Sequence, residues 1–104
     1  MSVTEPNVKT LSIPAGHPIF AGHFPGRPIV PGVMLLEWVL SGIAQARHCP
    51  PSALRIREAK FFTPLGPAEN AELRLELADS RCTFSIHRET TPIARGIIDW
   101  AADV

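Results

Sequence analysis

Three residues between positions 23 and 37 could together carry out proton transfer next to a carbonyl group. His23 supplies a titratable imidazole, Glu37 supplies a carboxyl group, and Gly32 stands where the backbone turns into a predicted helix. The first N–H groups of a helix have no partner within it, so they can stabilise a developing negative charge. An acid/base pair beside such a site has the parts needed to abstract one proton and donate another.

The loop that must position these residues combines stiff and permissive backbone. Pro28 and Pro31 restrict the chain, whereas Gly26 and Gly32 can adopt conformations that other residues avoid. Such a loop can hold an unusual but fixed path, and it leads directly into an apolar segment. The sequence therefore predicts that His23 is held near the start of a helix.

A helix is predicted over residues 33–47, in an apolar run with a single charge at Glu37. Apolar residues occupy nearly every side of this helix, which predicts that it is buried. Pro50 and Pro51 prevent its continuation. A carboxyl group in such apolar surroundings tends to keep its proton, as a general acid must.

The rest of the chain reads as short strands separated by turns. Leucines 73, 75 and 77 alternate with charged residues, as expected for a half-buried strand. The alternation changes phase near Glu58, which predicts a β-bulge. The predicted strands cover residues 8–13, 54–62, 71–78, 82–87 and 93–101. One buried helix followed by antiparallel strands indicates an α+β fold.

The stretch GHFPGRPIVPGVMLLE resembles the signature of the 3-hydroxyacyl-acyl-carrier-protein dehydratases of the FabA/FabZ type. That signature reads roughly HFPGxPxxPGxxxxE, and here His23 and Glu37 have its spacing, with Gly32 on the glycine of the second PG. The resemblance implies a single hotdog domain over residues 1–104, in which a curved antiparallel sheet wraps around one central helix. It also implies a homodimer, or a higher oligomer built from dimers.

The resemblance further implies the removal of water from a 3-hydroxyacyl thioester, giving the trans-2-enoyl thioester. His23 would act as base on the C2 proton, the Gly32 N–H would stabilise the thioester oxygen, and Glu37 would protonate the departing C3 hydroxyl. Histidine and acid would come from different subunits. No metal or redox cofactor is implied. The substrate would arrive on the phosphopantetheine of an acyl carrier protein or as a CoA thioester.

Two positions depart from the family pattern. Trp38 follows the acid where relatives carry a small residue, and Ser41 occupies a position usually held by glutamine. Both changes fall beside the expected acyl tunnel, so chain length and activity stay open. The residues expected to line this tunnel are Phe24, Val33, Met34, Trp38 and Ser41. The residues expected to dock an acidic carrier protein are Arg27, Arg47, Arg55, Arg57 and Lys60.

Composition excludes several other classes of protein. The chain has 104 residues and a formal net charge of zero, which argues against a dedicated nucleic-acid binder. Pro31 and Glu37 interrupt the longest apolar run, so a membrane span is not predicted. Cys49 and Cys82 lack metal or redox spacing, and the N-terminus lacks the pattern of a signal peptide, so a cytoplasmic location is expected.

Blander interpretations of the same residues remain open. Glu37 could be a structural carboxylate, and His23 an ordinary surface histidine. The chain could instead be a hotdog acyl thioesterase in which Glu37 activates water, or an acyl-carrier-binding module without catalysis. A metal site built from His17, His23 and Glu37 lacks recognisable spacing and is disfavoured.

Overall fold

A computed structural model describes residues 6–20 and 29–101 of the chain. It contains one helix, α1 (Gly32–Arg47), and two short 3₁₀ turns, Pro18–Phe20 and Pro51–Ala53. Its five strands are β1 (Pro6–Leu11), β2 (Arg55–Phe61), β3 (Ala71–Leu77), β4 (Arg81–Arg88) and β5 (Thr91–Asp99). The predicted α+β class is confirmed.

The strands form one antiparallel sheet in the order β1-β3-β4-β5-β2. Leu73 and Leu75 of β3 and Phe84 and Ile86 of β4 are buried, while the residues between them are exposed or half-buried. This is the alternation that the sequence predicts for strands with one face on the core. Strand β2 forms one edge of the sheet, and six of its seven residues are exposed.

Helix α1 packs one side against the inner face of this sheet. Leu35, Val39, Gly42 and Ile43 are buried at the spacing of one helical face. A Cβ at Gly42 would lie 3.1 Å from Leu75 Cδ1, so the missing side chain lets helix and sheet approach closely. The core is therefore the layer between α1 and the sheet.

The opposite side of α1 corrects one prediction. Val33, Glu37, Ser41 and Gln45 lie four residues apart and are all exposed. We call these four residues the exposed helix stripe. The prediction that the helix is buried on all sides is wrong for a single chain, because one sheet can cover only one side of a helix.

The bulge predicted near Glu58 is confirmed. The pairing of β2 with β5 shifts register between Ile56 and Glu58. Gly96 of β5 lies across from Ala59, and a Cβ at Gly96 would be only 2.1 Å from the carbonyl oxygen of Glu58. A residue without a side chain is required at this position, because the bulge brings the β2 backbone against β5.

The first strand differs from its prediction. The structure places β1 at Pro6–Leu11, whereas the sequence predicts residues 8–13. Ile13 is buried beyond the strand end, and its carbonyl accepts a hydrogen bond from the Ala68 N–H rather than from β3. Proline is tolerated as the first residue of an edge strand, so Pro6 does not prevent pairing.

Candidate active site

The N-terminus of α1 has two N–H groups without a partner among the residues that the structure describes. Pro31 precedes the helix, and its carbonyl accepts hydrogen bonds from the N–H groups of Met34 at 3.0 Å and Leu35 at 3.3 Å. The N–H groups of Gly32 and Val33 make no hydrogen bond to any residue that the structure describes. They also lie at the positive end of the helix dipole, so this end of α1 can stabilise an oxyanion.

An apolar cavity of about 350 Å³ opens beside Gly32, within the size range of small-molecule sites. The Phe61 ring forms one wall, and a Cβ on Gly32 would lie 3.1 Å from its Cζ atom. The Val30 N–H donates to the Leu65 carbonyl at 2.8 Å and thereby fixes the segment before the helix. The full lining is Ile29, Val30, Gly32, Leu35, Phe61, Phe62, Thr63, Pro64 and Leu65. The helix N-terminus therefore opens onto an apolar chamber.

Glu37 lies away from this cavity. It lies five positions after Gly32 on the helix, which corresponds to about 140° around the axis and about 7.5 Å along it. Glu37 is exposed on the helix stripe, so the apolar setting predicted for its carboxyl group is not provided by the described part of its own chain. His23, Phe24 and Arg27 lie outside the described residues.

The other expected tunnel residues also lie away from the cavity. Val33 is 66% exposed and Ser41 is exposed, both on the helix stripe. Met34 and Trp38 are half-buried and pack against the core. The cavity walls that sequence reasoning missed come mainly from the end of β2 and the loop after it. The adjacent residues Phe61 and Phe62 were an available signal. In a strand only one of two neighbouring side chains can face the core, so one aromatic ring had to lie elsewhere.

The predicted docking residues fall into two groups. Arg55 and Arg57 are exposed on the edge strand, and their Nε atoms lie 3.5 and 3.4 Å from the Asp99 carboxylate. Lys60 is exposed on the same strand, directly across from Arg95 of β5. These three residues are accessible to a partner.

Arg47 lies at the other end of the helix and has a packing role. Its guanidinium sits 4.0 Å from the centroid of the Trp100 ring, and the residue is half-buried. The Trp100 indole N–H donates to the Asp79 carbonyl at 3.0 Å. Arg47 therefore stacks on an aromatic ring near the C-terminus of α1, and its docking role stays a prediction.

A sequence model of ApeI-like proteins, described as ApeI dehydratase, matches residues 3–97. The chain belongs to the ApeI-like dehydratase family. The FabZ 3-hydroxyacyl-[acyl-carrier-protein] dehydratase of Syntrophotalea carbinolica is 35% identical over 82 residues, which cover 71% of this chain and 54% of that protein. The chain thus spans about half the length of the curated relatives that it matches.

Solved structures place this ApeI-like chain in the hotdog fold. A chain of the dehydratase heterocomplex ApeI:P from Xenorhabdus doucetiae superposes with a TM-score of 0.74 at 24% identity, covering 93% of this chain and 88% of that one. The fluoroacetyl-CoA-specific thioesterase FlK gives a TM-score of 0.69 at 14% identity, covering 99% and 95%. The predicted fold, an antiparallel sheet packed around one helix, is confirmed.

The ApeI-like chain has a second, polar cavity at the opposite edge of its sheet. It measures about 460 Å³, and Glu69 and Arg88 contribute to its lining. Glu69 accepts hydrogen bonds from the Gly66 N–H and from Arg88, so its carboxylate holds a turn together. Within residues 6–20 and 29–101, no three His, Cys, Asp or Glu residues come close enough to bind a metal ion. In the same ranges, no helix is long and apolar enough to cross a membrane.

Proposed function

We propose that this chain is a 3-hydroxyacyl thioester dehydratase. One observation carries the proposal: the helix that bears Glu37 of the His23–Glu37 signature begins at Gly32, whose N–H has no partner among the described residues and adjoins an apolar cavity. An open amide can bind a thioester oxygen, and the apolar cavity can receive an acyl chain. The ApeI-like family and the FabZ relatives support the same reaction class.

In the proposed reaction His23 removes the C2 proton of the substrate. The electrons of that C–H bond form the C2–C3 double bond, and the bond from C3 to its hydroxyl oxygen breaks. Glu37 protonates the departing hydroxyl, which leaves as water. The Gly32 N–H stabilises negative charge on the thioester oxygen during proton removal. Proton exchange with water then returns His23 and Glu37 to their starting states.

We propose that the working enzyme is a homodimer whose sites are shared between subunits. Glu37 belongs to the exposed helix stripe and is not covered by the described part of its own chain, and a second chain packed on this stripe would give its carboxyl group apolar surroundings. Strand β2 offers an exposed edge, and Ile56 and Phe61 on it are 46% and 50% exposed. An unpaired edge with exposed apolar residues is a ready template for another chain.

The acyl group would arrive on an acyl carrier protein, as the names of the FabZ relatives suggest, or on coenzyme A. Arg55, Arg57 and Lys60 form an exposed basic edge that can meet an acidic carrier. Both cysteines are unpaired, which fits a reducing compartment such as the cytoplasm.

A second candidate function, thioester hydrolysis, is favoured by the similarity to the thioesterase FlK. One assay separates the two: the protein is incubated with a 3-hydroxyacyl thioester while enoyl absorbance and free thiol are recorded. We expect enoyl product without thiol release. Thiol release without enoyl product would replace the dehydratase proposal by a thioesterase, and neither signal would indicate a binding module.

A pair of conservative variants tests the role of the acid. Glu37→Gln removes the proposed proton donor with little change in shape, and it should lower kcat/KM by about 100- to 10,000-fold, the usual worth of a general acid. Glu76→Gln makes the same change at an exposed position of β3 and should leave kcat/KM unchanged. Equal activity of the two variants would remove Glu37 from the mechanism.

A further inference from the structure

A cavity on the outer face of the sheet gathers hydrogen-bond donors. It measures about 410 Å³ and lies on the side opposite to α1. Arg95, Ser85 and His87 contribute polar groups, and Phe62, Pro92 and Ala94 complete the lining. None of these six residues is acidic, so the cavity favours an anion. We call it the outer groove.

The charged residues around the outer groove also favour an anion. Arg95 lies directly across from Ser85 on one side and from Lys60 on the other. Neither Arg95 nor Lys60 makes an ion pair with a carboxylate in the described part of the chain. Like charges directly opposite each other destabilise a sheet, and a bound anion would relieve that repulsion.

Two carboxylates also face this surface. Glu72 lies across from His87 on β3, and its carboxylate is 3.3 Å from Arg74 Nη2. Glu58 precedes Lys60 by two residues on β2. Neither acid lines the outer groove, although Glu58 lines an adjoining cavity together with Arg95. Glu58 makes no ion pair with Arg95 in the described part of the chain, so the guanidinium remains available to an incoming anion.

The outer groove adjoins the candidate active site through one side chain. Phe62 lines both the outer groove and the apolar cavity beside Gly32. The Arg95 guanidinium carbon lies 5.7 Å from the centroid of the Phe62 ring. A ligand that passes over Phe62 could therefore place one end at Gly32 and its other end at Arg95.

We propose that the outer groove binds the phosphate of a phosphopantetheine arm whose thioester lies at Gly32. This inference rests on the proposed function, since it concerns the carrier of the same substrate. Arginine suits the role because its planar guanidinium can donate two parallel hydrogen bonds to a phosphate. An acyl carrier protein and coenzyme A both present this phosphate joined to pantetheine.

The test compares one 3-hydroxyacyl group on three carriers: an acyl carrier protein, coenzyme A, and pantetheine without phosphate. Arg95→Gln should raise KM by about 10- to 100-fold for the two phosphate-bearing substrates, the loss expected for a charge-assisted hydrogen bond. The pantetheine substrate should be unaffected. Arg74→Gln is the matched control, because Arg74 is exposed on the same sheet face but lies outside the groove.

The pattern across the three substrates decides the outcome. A loss confined to the carrier protein would assign Arg95 to protein docking, and a loss confined to coenzyme A would assign it to the nucleotide; either result overturns the phosphate proposal. Equal losses for all three substrates, or no loss at all, would also overturn it.

Direct binding separates this inference from the proposed reaction. Calorimetric titration of the wild-type protein with phosphopantetheine and with pantetheine requires no turnover. We expect measurably tighter binding of phosphopantetheine, and expect Arg95→Gln to abolish that preference. A protein that dehydrates all three thioesters but binds both arms equally would keep the proposed function and lose the phosphate site.

Discussion

Replacing Gly96 by alanine should destabilise the protein at the junction between β5 and β2. The added Cβ would lie 2.1 Å from the Glu58 carbonyl oxygen and 2.6 Å from Phe84 Cε2, whereas non-bonded heavy atoms prefer about 3.5–4.0 Å. Overpacking typically costs about 1–3 kcal/mol. We expect a loss at the upper end of this range, about 3 kcal/mol, because the Glu58 carbonyl oxygen belongs to the backbone and cannot rotate away.

That loss is a large share of the stability of a small domain, which is about 5–15 kcal/mol. At about 4–8 °C per kcal/mol, the midpoint of thermal unfolding should fall by about 12–24 °C. Activity should fall at temperatures where the variant is still folded, because β2 carries Phe61 into the cavity beside Gly32.

Urea and thermal unfolding measure the effect directly. Gly16→Ala is the control, since a Cβ at Gly16 meets nothing within 4 Å and the substitution should change the free energy of unfolding by no more than about 0.5 kcal/mol. If Gly96→Ala behaved like Gly16→Ala, the close approach of the β2 bulge to β5 would be refuted.

Four further measurements address the site and the core. Trp38 packs against the core of its own chain but directly follows Glu37, the proposed acid, and is only half-buried, so Trp38→Ala should change the preferred acyl chain length more than the rate on a short substrate; an unchanged chain-length profile would mark Trp38 as packing alone. The pH profile of kcat/KM should be bell-shaped if neutral His23 and protonated Glu37 act together, and an alkaline limb that persists in Glu37→Gln would exclude Glu37 as its source. Co-expressed at equal levels with random pairing, His23→Ala and Glu37→Ala chains should form mixed dimers in about half of the cases, and each mixed dimer regains one of its two equivalent sites. Activity should therefore recover to roughly a quarter of the wild-type level; confirmed mixed dimers without activity would contradict shared sites. Burial raises the pKa of the Cys82 thiol from 9.0 to about 12. As the pH rises, the Cys82 thiol ionises first in the unfolded chain, so the free energy of unfolding should fall between pH 9 and 12 by up to about 1.4 kcal/mol per pH unit. Urea titrations at several pH values measure this slope, which Cys82→Ala should lack.

The spacing of apolar residues along single segments predicted the buried strand faces, the β-bulge and the start of the helix. Leu73 and Leu75 are fully buried as their alternation indicates, and the phase change near Glu58 marks the observed bulge. Helix α1 begins one residue before its predicted start. Such features follow from spacing along one segment, because a strand repeats every two residues and a helix every 3.6.

Contacts between segments that are far apart in the sequence could not be predicted from spacing along one segment. The contact between Phe61 and Gly32 joins the end of β2 to the start of α1 across nearly thirty residues. The exposure of Glu37 depends on how much of the helix one sheet can cover, which composition does not reveal. The role of Arg47 likewise depends on Trp100, which lies more than fifty residues further along the chain. Residue types alone indicate that a group is charged or apolar, but not which distant segment it meets.

The sheet order has a consequence for how the chain assembles during synthesis. Among the described strands, β1 pairs with β3 alone, and its residue Leu11 lies across from Ala71. Strand β2 pairs with β5, so it stays unpaired until residues up to Asp99 have left the ribosome. Strands β3, β4 and β5 pair with their sequence neighbours and can form first, because short loops close at lower entropic cost. The buried side of α1 consequently emerges before the surface that covers it, and we expect nascent chains truncated before β5 to bind chaperones that recognise exposed apolar segments.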